Sequence, residues 1–163
     1  MASGQQHDRA TCWLALPYGL LWWPWLGPQG SVISAFAFLI GGLWLSPDLD
    51  TNSRPYQRWG PLRWLWWPYR KALRHRSVLS HSPVLGTLVR VGYLSGIAIL
   101  LSGLAHPWGT PTSTNVLSWL QQQWSRPERL LWVALVGIEA SAWLHLLQDG
   151  DPMPTWPKRQ KRR

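Results

Sequence analysis

The sequence predicts an all-α fold of about four membrane-associated helices with ligand-bearing cytoplasmic loops. Three observations lead there. Four apolar runs divide the 163 residues. Fifteen tryptophans accompany them, and Trp anchors at membrane–water interfaces. Polar and basic residues are segregated from the runs, so a mean hydropathy of −0.13 conceals the division.

The runs cover residues 11–26, 31–45, 84–105 and 129–147. A bilayer span needs about 20 apolar residues. The third and fourth runs meet that length. The first two are short, and the first holds Pro17 and Pro24. They read as a tight helical hairpin turned at Gly27-Pro28-Gln29-Gly30, spanning poorly or dipping in from one side. The first run also lacks the small-x-small cleavage site of a signal peptide. Ser82-Pro83 predicts an N-cap with proline at the first helical position of the third helix. Ser125-Arg126-Pro127-Glu128 reads as a capping box before the fourth. A short interfacial helix over residues 115–124 would place Leu117, Leu120 and Trp124 on one face. Residues 1–150 form one domain, and 151–163 a basic, disordered tail.

Charge sets the orientation. The net charge is +9. Seven Lys/Arg lie between Asp50 and Ser82, and five more between Lys158 and Arg163. The positive-inside rule puts both segments in the cytoplasm, and four crossings then put the N-terminus there too. Membrane lipid is the expected partner, and topology accounts for the basic excess without nucleic acid. The single Cys12 excludes an internal disulfide and any multi-cysteine zinc site, and reads as a small buried apolar residue. Trp64, Trp66 and Trp67 read as an interfacial anchor. Arg74 and Arg76 read as topology charges, with a hold on a substrate phosphate as the sharper alternative.

The chain's five histidines and seven carboxylates are concentrated. His7-Asp8 precedes the first run. Pro47-Asp48-Leu49-Asp50 follows the second. His75 and His81 precede the third, and His145 and Asp149 close the fourth. All four clusters fall at the cytoplasmic surface, while His106 falls opposite. Imidazole and carboxylate are the ligand set of zinc, manganese or iron. His145 and Asp149, at i and i+4, share a helix face. With about seven candidate ligands, the set exceeds one tetrahedral site and suits two ions, or one ion with carboxylates orienting its histidines. Arg90 and Glu139 lie at matched depth in the third and fourth runs, which predicts a structural ion pair, with Glu139 as a deeper ligand or base the alternative.

These residues resemble a known family. Ser3-Gly4-Gln5-Gln6-His7-Asp8, Ser46-Pro47-Asp48-Leu49-Asp50, the stretch from Tyr56-Gln57-Arg58-Trp59-Gly60 to Trp67-Pro68-Tyr69-Arg70, and His75-Arg76 through His81-Ser82-Pro83 resemble uncharacterised metal-binding proteins typical of cyanobacteria. That family is similar in turn to the YdjM-like membrane-bound metal-dependent hydrolases. Those carry an early His, a Pro-Asp-x-Asp, a His-Arg followed by a His-Ser, and a late His with an acidic partner. The resemblance implies His7, Asp48, Asp50, His75, His81, His145 and Asp149 as ligands. One departure is Ser80, where the wider group often has Thr. The expected cofactor is a divalent ion, zinc first, with manganese or iron as alternatives. The expected activity is hydrolysis of a phosphoester or other hydrolysable substrate, with a carboxylate not engaged as a ligand, Asp8 or Asp149, as general base. The rival is a non-enzymatic membrane protein with a structural metal site.

Overall fold

The computed structural model describes residues 2–125 and 130–150. The expected disordered tail lies outside them, as do Arg126, Pro127 and Glu128 of the expected capping box. The described residues are all-helical, in eight α-helices with three short 3₁₀ segments.

Helix α1 (Gly4–Leu21) opens with a capping box the sequence reading passed over. The Gln6 amide donates to the Ser3 hydroxyl, and the Gln6 side chain accepts from the Ser3 amide at 2.7 Å. This pairing fixes where α1 starts and hence where His7 sits. Helix α2 (Trp23–Leu43) is kinked at Gly27, whose φ of 61° breaks the helical path. The reversal therefore begins at Trp22, ahead of the predicted turn, and ends at Gly27-Pro28.

Among the described residues, three helices are long and apolar enough to cross a membrane: α2, α6 (Leu85–Leu104) and α8 (Leu130–Gln148). Helix α1 is not among them. Its apolar part, residues 10–21, is about 18 Å long at 1.5 Å per residue, well short of a hydrocarbon core of about 30 Å. Helix α2 lies between α1 and α8 and packs on both. At Gly137, an added Cβ would meet Ala37 Cβ at 2.9 Å and the Ser34 carbonyl at 3.0 Å. Small residues bring these backbones together as they do in membrane bundles. The outer faces are apolar, with Trp13, Trp25, Phe36, Leu88, Leu100 and Leu104 exposed. Cys12 is exposed on the same outer side of α1, not buried as expected. The buried face of α1 is His7, Thr11, Ala15 and Gly19, and residue 12 falls off that stripe.

The segment between α2 and α6 builds a second, aromatic core beneath the polar end. It comprises a 3₁₀ turn over Pro47–Asp50, α3 (Arg54–Arg58), a 3₁₀ stretch over Gly60–Trp66, α4 (Trp67–Ala72) and α5 (Val78–His81). Trp66 is fully buried and packs edge-on against Trp59 and Tyr69, each at 5.3 Å between ring centres. Leu49 is equally buried beside it. The expected Trp anchor is thus divided: Trp64 and Trp67 are exposed, while Trp66 is core. The 3₁₀ turn of the stretch puts neighbouring rings on different sides.

The start of α6 also departs from expectation. Ser82 ends α5, and Val84 precedes α6 with φ 62°, a strained value for a β-branched residue. The Val84 amide donates to Glu139 Oε1 of α8 at 2.8 Å. Helix α7 (Ser113–Trp124) starts where Thr112 accepts from the Asn115 amide. Its Leu117 and Trp124 are exposed, and Trp124 packs on Trp132 of α8.

Arg90 and Glu139 do not pair directly. Arg90 is 1% exposed and donates to the Ser80 carbonyl at 2.7 Å and to the Thr87 hydroxyl at 3.0 Å. Glu139 instead holds the Val84 turn. Matched depth put the two charges at one level, but each found a nearer backbone group in the 80–84 turn.

Candidate metal centre

Five separate segments meet at one end of the helices. His7 comes from the second turn of α1, Asp48 and Asp50 from the 3₁₀ turn after α2, and His75 from the link after α4. His81 is the last residue of α5, and His145 and Asp149 close α8. All seven residues singled out as ligands come together in two adjoining groups. Asp48, Asp50, His75 and His81 form one, and His7, His145 and Asp149 the other, each with one donor atom per residue within 4.8 Å of the rest.

Asp48 joins the groups. Its Oδ1 lies 3.5 Å from His81 Nε2, and its Oδ2 lies 3.5 Å from His145 Nε2. These separations are long for hydrogen bonds. They match two donors on one ion, since tetrahedral ligands at about 2.0–2.2 Å from a metal stand about 3.3–3.6 Å apart. The remaining partners then orient the rings. His81 Nδ1 faces Asp50 Oδ2 at 3.5 Å and the Ser80 hydroxyl at 3.0 Å. His75 Nδ1 lies 2.9 Å from Asp50 Oδ1. His145 Nδ1 lies 3.4 Å from the Ser46 hydroxyl. His7 stacks on His145 at 4.0 Å between ring centres, with Nδ1 2.6 Å from Gln148 Oε1 and Nε2 3.2 Å from Asp149 Oδ1. Asp149 Oδ2 faces His145 Nε2 and an Arg76 guanidinium nitrogen, each at 3.8 Å.

Among the described residues, three buried atoms here have no hydrogen-bond partner: Asp50 Oδ2, His81 Nε2 and His145 Nε2. Such atoms are costly to leave unpaired. All three are metal-donor types in one cluster. With no thiolate present, the His₄Asp₃ set fits zinc, manganese or iron better than a soft-metal site. The proton competes for the same place. Burial pushes the His81 imidazole down, but its contacts with Asp48 and then Asp50 outweigh that and raise it above its ordinary value. A cation is thus favoured between these carboxylates.

Asp8 stands apart from both groups. Its Oδ2 accepts from Arg54 Nε at 2.7 Å and from Arg58, whose other terminal nitrogen donates to the Leu43 carbonyl at 2.9 Å. Burial raises the Asp8 carboxyl, yet the hydrogen bonds from Arg58 and then Arg54 hold it below the usual carboxylate range. His106 lies at the far end of α6, is exposed, and has Nδ1 2.9 Å from the Thr110 carbonyl. Sequence reading missed the residues that aim the ligands: Ser46, Ser80, Gln148 and Arg90. Gln148 was within reach, because position i+3 from His145 lies on the ligand face. Arg90 was not, because its link to His81 runs through a carbonyl.

The fold and site define a helical protein with membrane-length helices, built around a candidate metal centre. The chain belongs to the uncharacterized metal-binding protein family DUF2227, whose model matches residues 2–161. It is similar to an uncharacterized protein of Aquifex aeolicus (strain VF5), 50% identical over 58 residues. That match takes in 35% of this chain and spans 40% of the relative. No solved structure matches the chain.

Proposed function

We propose that this chain is an integral membrane hydrolase dependent on divalent metal, with its site and termini at the cytoplasmic face. The observation that carries the reading is the set of three buried, unpartnered donors grouped around Asp48, whose two oxygens face a histidine of each group. Asp48, Asp50, His75 and His81, with His7 and His145 beside them, would hold the divalent metal, and Asp149 is kept for the proton. The likeness to the YdjM-like hydrolases supports this assignment, and zinc is the first choice of ion. Bound there, a divalent ion acidifies water toward neutrality and polarises a phosphoryl or carbonyl oxygen.

The protein's own groups do the rest. Asp149 is the acid–base residue. Its Oδ1 is fixed by the Ala2 amide and His7, and its Oδ2 faces the centre beside Arg76. It takes the proton of the attacking water as the new bond to phosphorus forms. It returns that proton to the leaving oxygen as the old bond breaks. Arg76, at the same carboxylate, draws an anionic substrate in. Asp8 is withdrawn from the chemistry by its two arginines and serves as a latch between α1 and α3.

A second reading has its own support. The ligands come from five segments, so an ion there would also pin the helix ends together. Metal analysis of the detergent-purified protein, with hydrolysis of bis(p-nitrophenyl) phosphate as readout, separates the two. The expected result is that Asp149→Asn retains metal and loses hydrolysis. If wild-type protein loaded with metal leaves that ester intact, the structural reading replaces the enzymatic one. If His81→Ala holds as much metal as wild type, the site assignment itself fails.

A further inference from the structure

An apolar groove of about 710 Å³ runs between α1 and α8, floored by Phe38 of α2. Its walls include Leu14, Pro17 and Tyr18 on one side and Ala140, Leu144 and Leu147 on the other. The groove meets the metal centre along one face of α1. His7, Leu14 and Tyr18 stand at i, i+7 and i+11 of α1, which is one face. On α8, Ala140, Leu144 and Gln148 stand at i, i+4 and i+8, so the groove wall continues to Gln148, which meets His7, while His145 and Asp149 lie on the neighbouring face. Because His7 meets Gln148 and Asp149, the two helices are antiparallel there, and the groove leads from the His/Asp cluster into the apolar part of the bundle. Its volume falls within the range of ligand sites, about 300–1,000 Å³. A soluble substrate has no use for an apolar trough at this place. A membrane lipid presents a polar head and a chain in that order along the helix axis. Arg76 beside Asp149 supplies positive charge where an anionic head would arrive.

We propose that this groove seats one hydrocarbon chain of a lipid phosphoester whose phosphate reaches the His/Asp cluster. This deepens the hydrolase reading and rests on it for the fate of the phosphate. The chain alone supplies affinity but no direction, since each buried methylene is worth about fourfold in binding. The phosphate at the cluster supplies the selection. The groove therefore prefers a lipid phosphate over the same chain on a neutral head.

Photolabelling tests this without requiring turnover. Metal-loaded wild-type protein in detergent is exposed to a lysophosphatidic acid with a diazirine in its acyl chain, and labelled peptides are mapped. A monoacylglycerol with the same chain is the control. The expected result is labelling centred on Leu14, Leu144 and Leu147, about tenfold stronger for the phosphate lipid than for the neutral one, as about 1.4 kcal/mol of head-group selection gives. Ala140→Trp, which fills the groove, should reduce this labelling at unchanged metal content. Leu147→Asn, at an exposed site where folding is little affected, should reduce it in the same direction. Equal labelling by both lipids, or labelling unmoved by both substitutions, overturns the proposal and marks the groove as ordinary lipid-facing surface. Disulfide-linked dimers of Leu147→Cys overturn it in favour of a second copy covering the groove. Failure of phosphodiester hydrolysis in the previous experiment would leave the labelling pattern untouched, so the two readings fall separately.

Discussion

Replacing Arg90 by methionine should weaken metal binding although Arg90 is not a ligand. Arg90 is buried and donates to the carbonyl of Ser80, the residue directly before His81. Ser80 also places its hydroxyl 3.0 Å from His81 Nδ1. Methionine fills much of the arginine's volume, so the change removes the donors with little cavity. A hydrogen bond to a charged group is worth about 1.5–3 kcal/mol, and Arg90 makes two such bonds. The Thr87 hydroxyl can turn to another acceptor, whereas the Ser80 carbonyl is left bare. The loss should therefore fall near one bond, about 2–3 kcal/mol of stability in the metal-free protein. The part that reaches His81 should appear as a rise in the metal dissociation constant of about tenfold or more, equal to about 1.4 kcal/mol. Titration with zinc and a competing chelator measures it, alongside thermal unfolding in detergent. Leu88→Met, on the exposed side of α6, is the control and should change neither. If Arg90→Met lowers the melting temperature but binds zinc as wild type does, Arg90 only anchors the helix and the positioning argument is wrong.

Three further outcomes follow from the same geometry. His81 has a raised folded pKa, so its contribution to metal-free stability is full below its ordinary value of 6.5 and is lost as pH rises through the folded value; metal affinity should move oppositely, rising over that window with proton release, and calorimetry in buffers of different ionisation heat reads both. Asp48→Asn should lower the metal stoichiometry and weaken both groups together, as metal analysis would record, whereas His75→Ala should affect one group alone. Asp8→Asn should destabilise the fold by about 1–2 kcal/mol, discounted for the exposure of Arg54, while leaving metal content unchanged; in the wild type this contribution is present above pH 3.8 and lost as pH falls through the lower folded value, which acid unfolding of both proteins would reveal.

Much of the site was legible because polar residues in a Trp-rich apolar chain stand out at the ends of its runs. The seven grouped residues are those the structure brings together, and one-sided placement of the helix ends was enough to gather them. What depended on lateral packing was not legible. Arg90 and Glu139 share a depth, yet sequence gives no angle around the helix and no view of the 80–84 turn that intercepts both. Trp66 looked like its neighbours, because a 3₁₀ stretch assigns rings to faces by a period that the apolar pattern there does not display. The start of α6 was misplaced because Ser82-Pro83 is a sound helix-start signal, overridden here by the Glu139 contact to the Val84 amide.

The spread of the grouped residues along the chain has a consequence for biogenesis. Asp48, Asp50, His75 and His81 are near neighbours in sequence, but His7 waits for His145 and Asp149 at the far end of α8. Chains emerge N-terminus first. The first group can therefore assemble once α6 is in place, while the second stays open until α8 docks beside α1. Asp48, placed with the first group, would meet the arriving His145, so the order of synthesis sets the order in which the two groups close. Only a chain with every helix seated would bring all seven grouped residues together.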